Sequence, residues 1–406
     1  MRRDFRLLWA AEAGSRLGSS MTSVALPLVA VVQLHASAFQ AALLYATTWL
    51  PWLLIGLPAG AWVDRLPKRR LMIVCDLIAA VLFLSVPVAA WLGVLGIGHL
   101  LAVSFAGGAV AVFFQTAQEA YLPVLLDAED LPEANAKLHG TASATQVAGP
   151  GLAGLLAQVA GAVTAVLIDA VSFLVSALCL AGIRRAEPRE TRERAPIRRE
   201  IADGIRFVVR DPYLRVLTLY GAASNIGLIG YQSLLVVFLV REVGVSPGVV
   251  GGLIAALSCG GVVGAVVATP LARRIGTARA MLICEGASVP FGLLIPMTGP
   301  GAGLGLLVVG GLVIGVGVVA GNVLKGVFRQ QYTPPELLGR TLVSMQFLNL
   351  GAVPVGALIA GSLASAFGVR PALWCMTAGL ALSGLILLNG PMKSRRDLPL
   401  SLTAPG

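Results

Sequence analysis

A small number of charged side chains interrupt the long apolar stretches of this chain, and these residues could move protons or form switchable ion pairs. Glu12 and Arg16 are four residues apart, a spacing that places them on one face of a helix. Asp169 lies in an apolar run with no charged neighbour in sequence. Because an ionised carboxylate is costly to hold away from water, Asp169, Glu12 and Arg16 are candidates for taking up and releasing a proton, and Glu12 with Arg16 could instead form a gate. The alternatives are structural: Glu12 and Arg16 neutralise each other, and Asp169 hydrogen-bonds Ser172 or another helix.

A short basic segment between two apolar runs forms a second group of charges. It reads Gly60-Ala61-Trp62-Val63-Asp64-Arg65-Leu66-Pro67-Lys68-Arg69-Arg70, and Asp76 follows inside the next apolar run. A carboxylate is stabilised at the positive N-terminal end of a helix, so we expect Asp64 to meet such an end in the other half of the chain, while Arg69 reaches Asp76. Contacts of this kind form in one conformation and break in another. The predicted gating latch comprises Gly60, Asp64, Arg65, Arg69 and Asp76; the alternative is that the basic residues only set membrane topology.

Composition indicates that lipid surrounds most of the chain. The 406 residues are 57% hydrophobic and 12% charged, with a mean hydropathy of +0.85, whereas soluble domains carry roughly 25% charged residues. A membrane-crossing helix needs about 20 apolar residues, and backbone polar groups in hydrocarbon must be satisfied within the segment. We therefore predict an all-α membrane protein with twelve transmembrane helices near 9–33, 40–63, 71–92, 97–121, 137–161, 163–183, 213–240, 247–272, 279–299, 302–325, 339–364 and 368–389.

The net charge of +10 does not indicate nucleic-acid binding, because the basic residues fall on one side of the predicted membrane. With the N-terminus in the cytoplasm, only Arg241 and Arg370 lie in loops on the opposite side. This distribution follows the positive-inside rule. It predicts cytoplasmic N- and C-termini and contact with the anionic headgroups of the lipid bilayer. The densest basic stretch, 184–212, is predicted to be a cytoplasmic linker with an amphipathic surface helix around Ile197–Val209.

The two halves of the chain repeat each other. Cys75 aligns with Cys284, and Asp76 with Glu285, at an offset of 209 residues. The repeat predicts two pseudo-symmetric six-helix bundles, 1–183 and 213–392, joined by the linker 184–212 and followed by a cytoplasmic tail, 393–406. Transporters built from such parallel repeats bind their substrate near the bilayer midplane, between the halves.

Uncharged polar side chains also occur within the apolar runs. In hydrocarbon they must face other helices or a water-filled cavity, and a cavity with few charges favours a hydrophobic or amphipathic small molecule. The predicted cavity residues are Gln115, Gln146, Asn225, Tyr231, Gln232, Gln346 and Asn349.

Two short sequence patterns match enzyme motifs, but neither lies in the secondary structure that the motif requires. Gly149-Pro150-Gly151-Leu152-Ala153-Gly154 fits a dinucleotide-binding pattern but lies in an apolar helix rather than after a strand. Gly244-Val245-Ser246-Pro247-Gly248 fits a hydrolase elbow but lacks the strand–turn–helix setting. The five cysteines have no metal-ligand spacing and only three histidines occur. We predict no enzyme activity, no cofactor and no metal.

The basic segment resembles the loop between helices 2 and 3 of the major facilitator superfamily. The matching residues are Gly60, Asp64, Arg65 and Lys68-Arg69-Arg70, while Pro67 stands where the family usually has Gly. Gly149, Pro150 and Gly154 resemble the helix 5 motif of drug–proton antiporters, with Ala153 as a departure. In a helix, proline removes a backbone hydrogen bond and glycine permits close helix approach, so these three residues are predicted to form a bendable seam.

Shorter stretches are similar to the macrolide-efflux and enterobactin-exporter branch of that superfamily, including Ser15-Arg16-Leu17-Gly18 and Ile168-Asp169-Ala170-Val171-Ser172-Phe173. The resemblance implies the major facilitator fold and a monomer in a bacterial cytoplasmic (inner) membrane. It implies a proton-coupled antiporter that exports a small hydrophobic or amphipathic compound, such as a macrolide-like drug or natural product, by alternating access. The alternatives are a siderophore exporter of the same fold and a non-transporting membrane sensor.

Overall fold

The computed structural model describes residues 3–63, 65–127, 129–184 and 205–399, and these ranges are almost entirely helical, with no strand among them. The predicted amphipathic helix at Ile197–Val209 lies largely outside the described residues, as does Asp64. The helices referred to below are α1 Arg3–Leu28, α2 Ala38–Val63, α3 Lys68–Trp91, α4 Ile97–Leu125, α5 Leu131–Val159, α6 Ala162–Ala181, α7 Pro212–Val237, α8 Pro247–Ile275, α9 Thr277–Met281, α10 Leu304–Tyr332, α11 Pro335–Phe367 and α12 Val369–Leu388.

Within these ranges, ten helices have the length and apolar composition needed to cross a bilayer. Large apolar side chains lie exposed on the outer surface of these helices: Val81, Leu178 and Val266 are each about 70% exposed. A water-soluble protein would gain stability by burying such side chains, so their exposure fits a surface that contacts lipid. The helix α5 is not among the ten; polar side chains, glycines and a proline interrupt its apolar residues along much of its length.

The ninth predicted span, 279–299, differs from the expectation of one continuous α-helix. The chain there passes from α9 into a π-helical turn, Leu282–Ala287, and then into a 3₁₀ turn, Val289–Leu294. Pro290 lacks a backbone N–H donor and clashes with the preceding turn, and Gly286 and Gly292 on either side of it favour helical geometry only weakly. These residues account for the change in helical geometry at this position.

The repeat in sequence is also a repeat in local structure. The helices α1 and α7 each continue into a π-helical turn, Val29–Gln33 after α1 and Phe238–Glu242 after α7. The first residues of these turns, Val29 and Phe238, are 209 positions apart, as are Cys75 and Cys284. Equivalent helices of the two halves therefore carry the same irregularity at the same place.

The chain divides into two compact units. The first comprises Met1–Arg192 with Val236–Ala255, and the second comprises Glu193–Leu235 with Ala256–Gly406. The end of α7 and the first two turns of α8 thus group with the first unit. The boundary near residue 192 falls inside the predicted linker 184–212.

Each unit has its own buried core. In the first unit, α1 packs against α5 and α6, α3 against α4 and α6, and α2 against α4. The core there includes Phe5, Met72 and Tyr121. In the second unit, the rings of Phe328 and Tyr332 stack with their centroids 4.8 Å apart, within the range of favourable aromatic pairs.

Candidate functional site

The basic segment after α2 is tied to the end of α6 through Arg69. The Arg69 Nε donates to the Leu180 carbonyl at 2.8 Å, and a terminal nitrogen of the same guanidinium donates to the Ala181 carbonyl. A cation at a helix C-terminus meets unpaired carbonyls and the negative end of the helix dipole. Gly60 lies in the last turn of α2 and Arg65 is exposed. The predicted contacts of Asp64, and of Arg69 with Asp76, stay predictions.

Asp76 belongs to a buried polar group that the sequence did not identify as one site. Asp76 is 1% exposed and Glu12 is 3% exposed, and the two carboxylates are close enough for their charges to interact. Ser176 adjoins Asp76 and Gln118 adjoins Glu12. The four side chains come from α3, α1, α6 and α4, so this polar cluster of Glu12, Asp76, Gln118 and Ser176 joins four helices of the first unit.

The polar cluster holds two carboxylates, and Arg16 is a cation beside one of them. Arg16 contacts Glu12 as an ion pair, with Arg16 40% exposed, so the predicted i, i+4 pair is present. Among the described residues, the Asp76 Oδ2 and the Glu12 Oε2 have no hydrogen-bond partner. Two buried like charges are unfavourable unless a proton or cation neutralises one of them. A proton on either carboxylate would remove the repulsion between them.

A signal in the sequence could have connected Glu12 with Asp76. α1 begins at Arg3 and α3 begins at Lys68, and in the predicted topology both helices start at the cytoplasmic face. Glu12 and Asp76 lie nearly the same number of residues into their helices, roughly 12–14 Å at the α-helical rise. Equal depth places two residues at one level, and only the packing of the helices decides that they meet.

Asp169 lies in a different part of the first unit. It is fully buried, the Thr22 hydroxyl donates to its Oδ2 at 2.6 Å, and the Ser172 hydroxyl approaches its Oδ1 at 3.4 Å. Gly18 makes room for it, because a Cβ at Gly18 would lie 2.4 Å from Asp169 Oδ1. Asp169 therefore links α6 to α1 through the Thr22 hydroxyl, whereas Ser172 lies on α6 itself. This contact is the structural alternative for Asp169, and its part in proton transfer stays a prediction.

The glycines of α5 sit at close helix crossings. A Cβ at Gly149 would lie 2.4 Å from the Ser20 hydroxyl of α1, and a Cβ at Gly154 would lie 2.6 Å from Gly251 Cα at the start of α8. Only glycine fits such an approach. Although Pro150 lies inside it, α5 continues to Val159. Bending at this predicted seam is a property of motion and stays a prediction.

Both basic residues predicted on the external side bind backbone carbonyls. Arg241 donates to the Ala36 carbonyl at 2.6 Å, beyond the π-helical end of α1. Arg370 donates to the Pro296 carbonyl at 3.0 Å. These contacts explain why cations occur at positions that the topology rule disfavours.

A cavity of about 170 Å³ lies within the second unit, and charged side chains are part of its lining. Glu285, 2% exposed, forms an ion pair of 2.7 Å with Lys325, 14% exposed. The Tyr220 hydroxyl donates to the Glu285 carbonyl at 3.0 Å, and the Lys325 ammonium lies 5.4 Å from the centre of the Tyr220 ring. Arg329 also lines the cavity.

Lys325 was not among the residues predicted from the sequence to form a site. Lys325 lies about two turns before the end of α10 and points to Glu285, on the ninth segment. The signal was its setting between Val323-Leu324 and Val327-Phe328, because a charge within an apolar helical run requires a buried partner.

Two of the seven predicted cavity residues, Asn225 and Asn349, line this cavity. Asn225 donates to the Asn349 carbonyl at 3.4 Å. Tyr231 is buried elsewhere in the second unit. The remaining predicted residues are exposed or half-buried and do not line it: Gln115, Gln146, Gln232 and Gln346. Among the described residues, no cluster of His, Cys, Asp and Glu could hold a metal ion.

Comparison with known proteins supports one family assignment over the whole chain. Residues 1–401 match the family described as transmembrane secretion effector. The multidrug efflux pump Tap of Mycolicibacterium fortuitum is 28% identical over 395 residues, which cover 94% of each chain. Macrolide efflux protein A of Streptococcus pyogenes is 21% identical, covering 98% of this chain and 97% of that protein.

Solved transporter structures share the fold. A bacterial homologue of the iron transporter ferroportin, in an inward-facing state, superposes with a TM-score of 0.77 at 17% identity and covers 97% of this chain and 99% of that chain. The nucleoside transporter NupG gives a TM-score of 0.76 at 12% identity and covers 97% of this chain and 100% of that chain. The chain is therefore a multi-pass membrane protein of the transmembrane secretion effector family, with the fold of the major facilitator superfamily.

Proposed function

We propose that this protein exports a small hydrophobic or amphipathic compound from the cytoplasm in exchange for protons. The observation that carries this proposal is the likeness to the Tap multidrug efflux pump, which extends over 94% of both chains. Likeness to macrolide efflux protein A over nearly full length points in the same direction. The pump works as a monomer in a bacterial cytoplasmic membrane with both termini in the cytoplasm, and its two bundles alternate access to the substrate.

Buried carboxylates in the first unit support proton coupling. Glu12 and Asp76 lie together with Arg16 as a neighbouring cation, so a bound proton would neutralise the second carboxylate when substrate is absent. Asp169 offers a second proton site, because its two partners, Thr22 and Ser172, are uncharged. Membrane-embedded acidic residues of transporters commonly belong to proton relays.

Closure on the cytoplasmic side depends on the latch. Arg69 holds the segment after α2 against the carbonyl end of α6, and Asp64 takes up its partner at the start of a helix in the other half. Release of these contacts opens the cytoplasmic side to substrate. The Gly154–Gly251 crossing is a close helix contact that a larger side chain at position 154 would disrupt.

Inverted membrane vesicles test the proposal directly. Vesicles containing the protein are given a pH gradient reported by a fluorescent dye, and macrolides, other lipophilic drugs and siderophores are added one at a time. A transported compound should collapse part of the gradient in these vesicles and leave vesicles without the protein unchanged. Accumulation of a radiolabelled compound with an unaltered gradient would refute proton coupling, and no response to any compound in either assay would refute the proposed substrate class.

A further inference from the structure

The cavity of the second unit has a charge imbalance. Lys325 and Arg329 supply two positive charges to its lining, and Glu285 supplies one negative charge. Lys325 is matched by Glu285 at 2.7 Å. The Nε of Arg329 donates to the Lys325 carbonyl of its own helix at 3.1 Å, and among the described residues no carboxylate forms an ion pair with Arg329. Within the described part of the chain, one positive charge of the lining therefore has no carboxylate of its own.

Neutral hydrogen-bonding groups surround this charge. Ser224, Asn225, Asn322 and Asn349 line the same cavity. The side-chain oxygen of Asn349 is buried and has no hydrogen-bond partner among the described residues, although buried polar atoms normally have one. Gly221 leaves the space for that amide, since a Cβ there would lie 2.3 Å from the Asn349 Oδ1.

The size of the cavity limits what it can hold. Its volume of about 170 Å³ is smaller than the roughly 300–1,000 Å³ of pockets that enclose a drug-sized ligand. It is large enough for one polar end of a ligand. Leu217, Leu228, Val318 and Leu380 also line it, so an apolar chain next to the polar end would meet apolar side chains.

We infer that this cavity binds the carboxylate end of an amphipathic organic anion. Arg329 supplies the unmatched positive charge, and its planar guanidinium suits a carboxylate, which it can bind through two parallel hydrogen bonds. Asn225 supplies a neutral donor, because its amide has a second N–H besides the one that faces the Asn349 carbonyl, and the Glu285–Lys325 pair stays intact beside the ligand. The inference rests on the proposed function only in calling this ligand an exported substrate; the binding site itself depends on the second unit alone.

Binding to the purified full-length protein tests this inference without any transport. The protein is placed in nanodiscs of zwitterionic phosphatidylcholine, and dansyl fluorescence measures the Kd of two probes, 11-(dansylamino)undecanoic acid and its primary amide. The probes differ only in the charge at one end. We expect the acid to bind about tenfold or more tightly than the amide, because hydrogen bonds to a charged group are stronger than those to a neutral one. Equal affinities would overturn the inference.

Charge variants locate the site. Arg329→Gln should bring the acid-to-amide ratio near one without weakening the amide, whereas Arg329→Lys should keep most of the preference. Arg274→Gln, at an exposed arginine near the end of α8, is the matched control and should change nothing. A full preference for the acid in Arg329→Gln would overturn the inference.

The outcomes separate the site from the export proposal. A wild-type preference for the acid that depends on Arg329, with no transport in vesicles, would support the site and count against export. Transport of neutral or cationic drugs by a protein that binds acid and amide alike would support export and overturn the site.

Discussion

Replacing Lys325 with Met should destabilise the second unit by leaving Glu285 buried without its cation. The pair is separated by 2.7 Å, with Glu285 2% and Lys325 14% exposed. At an effective dielectric constant near 20, two unit charges at this distance attract by roughly 6 kcal/mol. Because Arg329 is nearby and the carboxylate can take up a proton, the net loss should be smaller, about 3–5 kcal/mol, the range for breaking a buried pair from one side.

Removing both charges should restore most of that loss. In Glu285→Gln/Lys325→Met the amide replaces the carboxylate at nearly the same volume, so no charge is left unpaired, and such replacements are often neutral. Lys393→Met, at an exposed lysine near the C-terminus, controls for the loss of one lysine. Surface substitutions of this kind usually change stability by less than about 0.5 kcal/mol.

The assay is equilibrium unfolding of the purified protein in mixed detergent micelles, titrated with SDS and followed by tryptophan fluorescence. The expected order of stability places the wild type and Lys393→Met first, the double variant slightly below, and Lys325→Met clearly lowest. If the double variant loses as much as Lys325→Met, packing of the lysine stem rather than its charge stabilises the unit. If Lys325→Met is as stable as the wild type, the ion pair is not formed in the protein.

Three further predictions concern the first unit and the proposed transport. Asp64→Asn should lower the transport rate several-fold while membrane insertion is unchanged, as measured by vesicle uptake and protein level; wild-type transport would refute the latch. Asp169→Asn should abolish the pH dependence of uptake by inverted vesicles, since an amide cannot exchange the proton, and a preserved pH dependence would assign the proton to another group such as Glu12 with Asp76. Gly154→Val should reduce transport tenfold or more, because a Cβ there would lie 2.6 Å from Gly251 Cα; Gly252→Val, which has open space at its Cβ, should transport normally.

Much of the architecture followed from the chain itself because its solvent is lipid. A helix in hydrocarbon must satisfy its own backbone, so apolar length alone indicates a span. The predicted 71–92 and 163–183 correspond closely to α3 and α6. The ninth segment is the exception. Pro290 leaves a backbone carbonyl without its helical hydrogen bond, and the resulting helical geometry depends on how the neighbouring helices satisfy that group.

The partners of the charged side chains could be predicted only where they are local. Glu12 and Arg16 share a helix face by their spacing alone, and they form the expected ion pair. Asp169 was recognisable as a buried carboxylate, but its contact with Thr22 joins positions 147 residues apart. A position in sequence sets the depth of a side chain in its helix, whereas the rotation of the helix decides which neighbour it faces.

The sequence by itself determined the fold class, the repeat and the residues whose charge must be neutralised, because each of these depends on composition or on short, regular spacing. Only the tertiary structure decided the groupings: Glu12 with Asp76 in the first unit, and Glu285 with Lys325 and Arg329 around a cavity in the second. The physical reason is that helix packing brings together side chains from segments far apart in the chain, and nothing in the spacing of those segments specifies which faces meet.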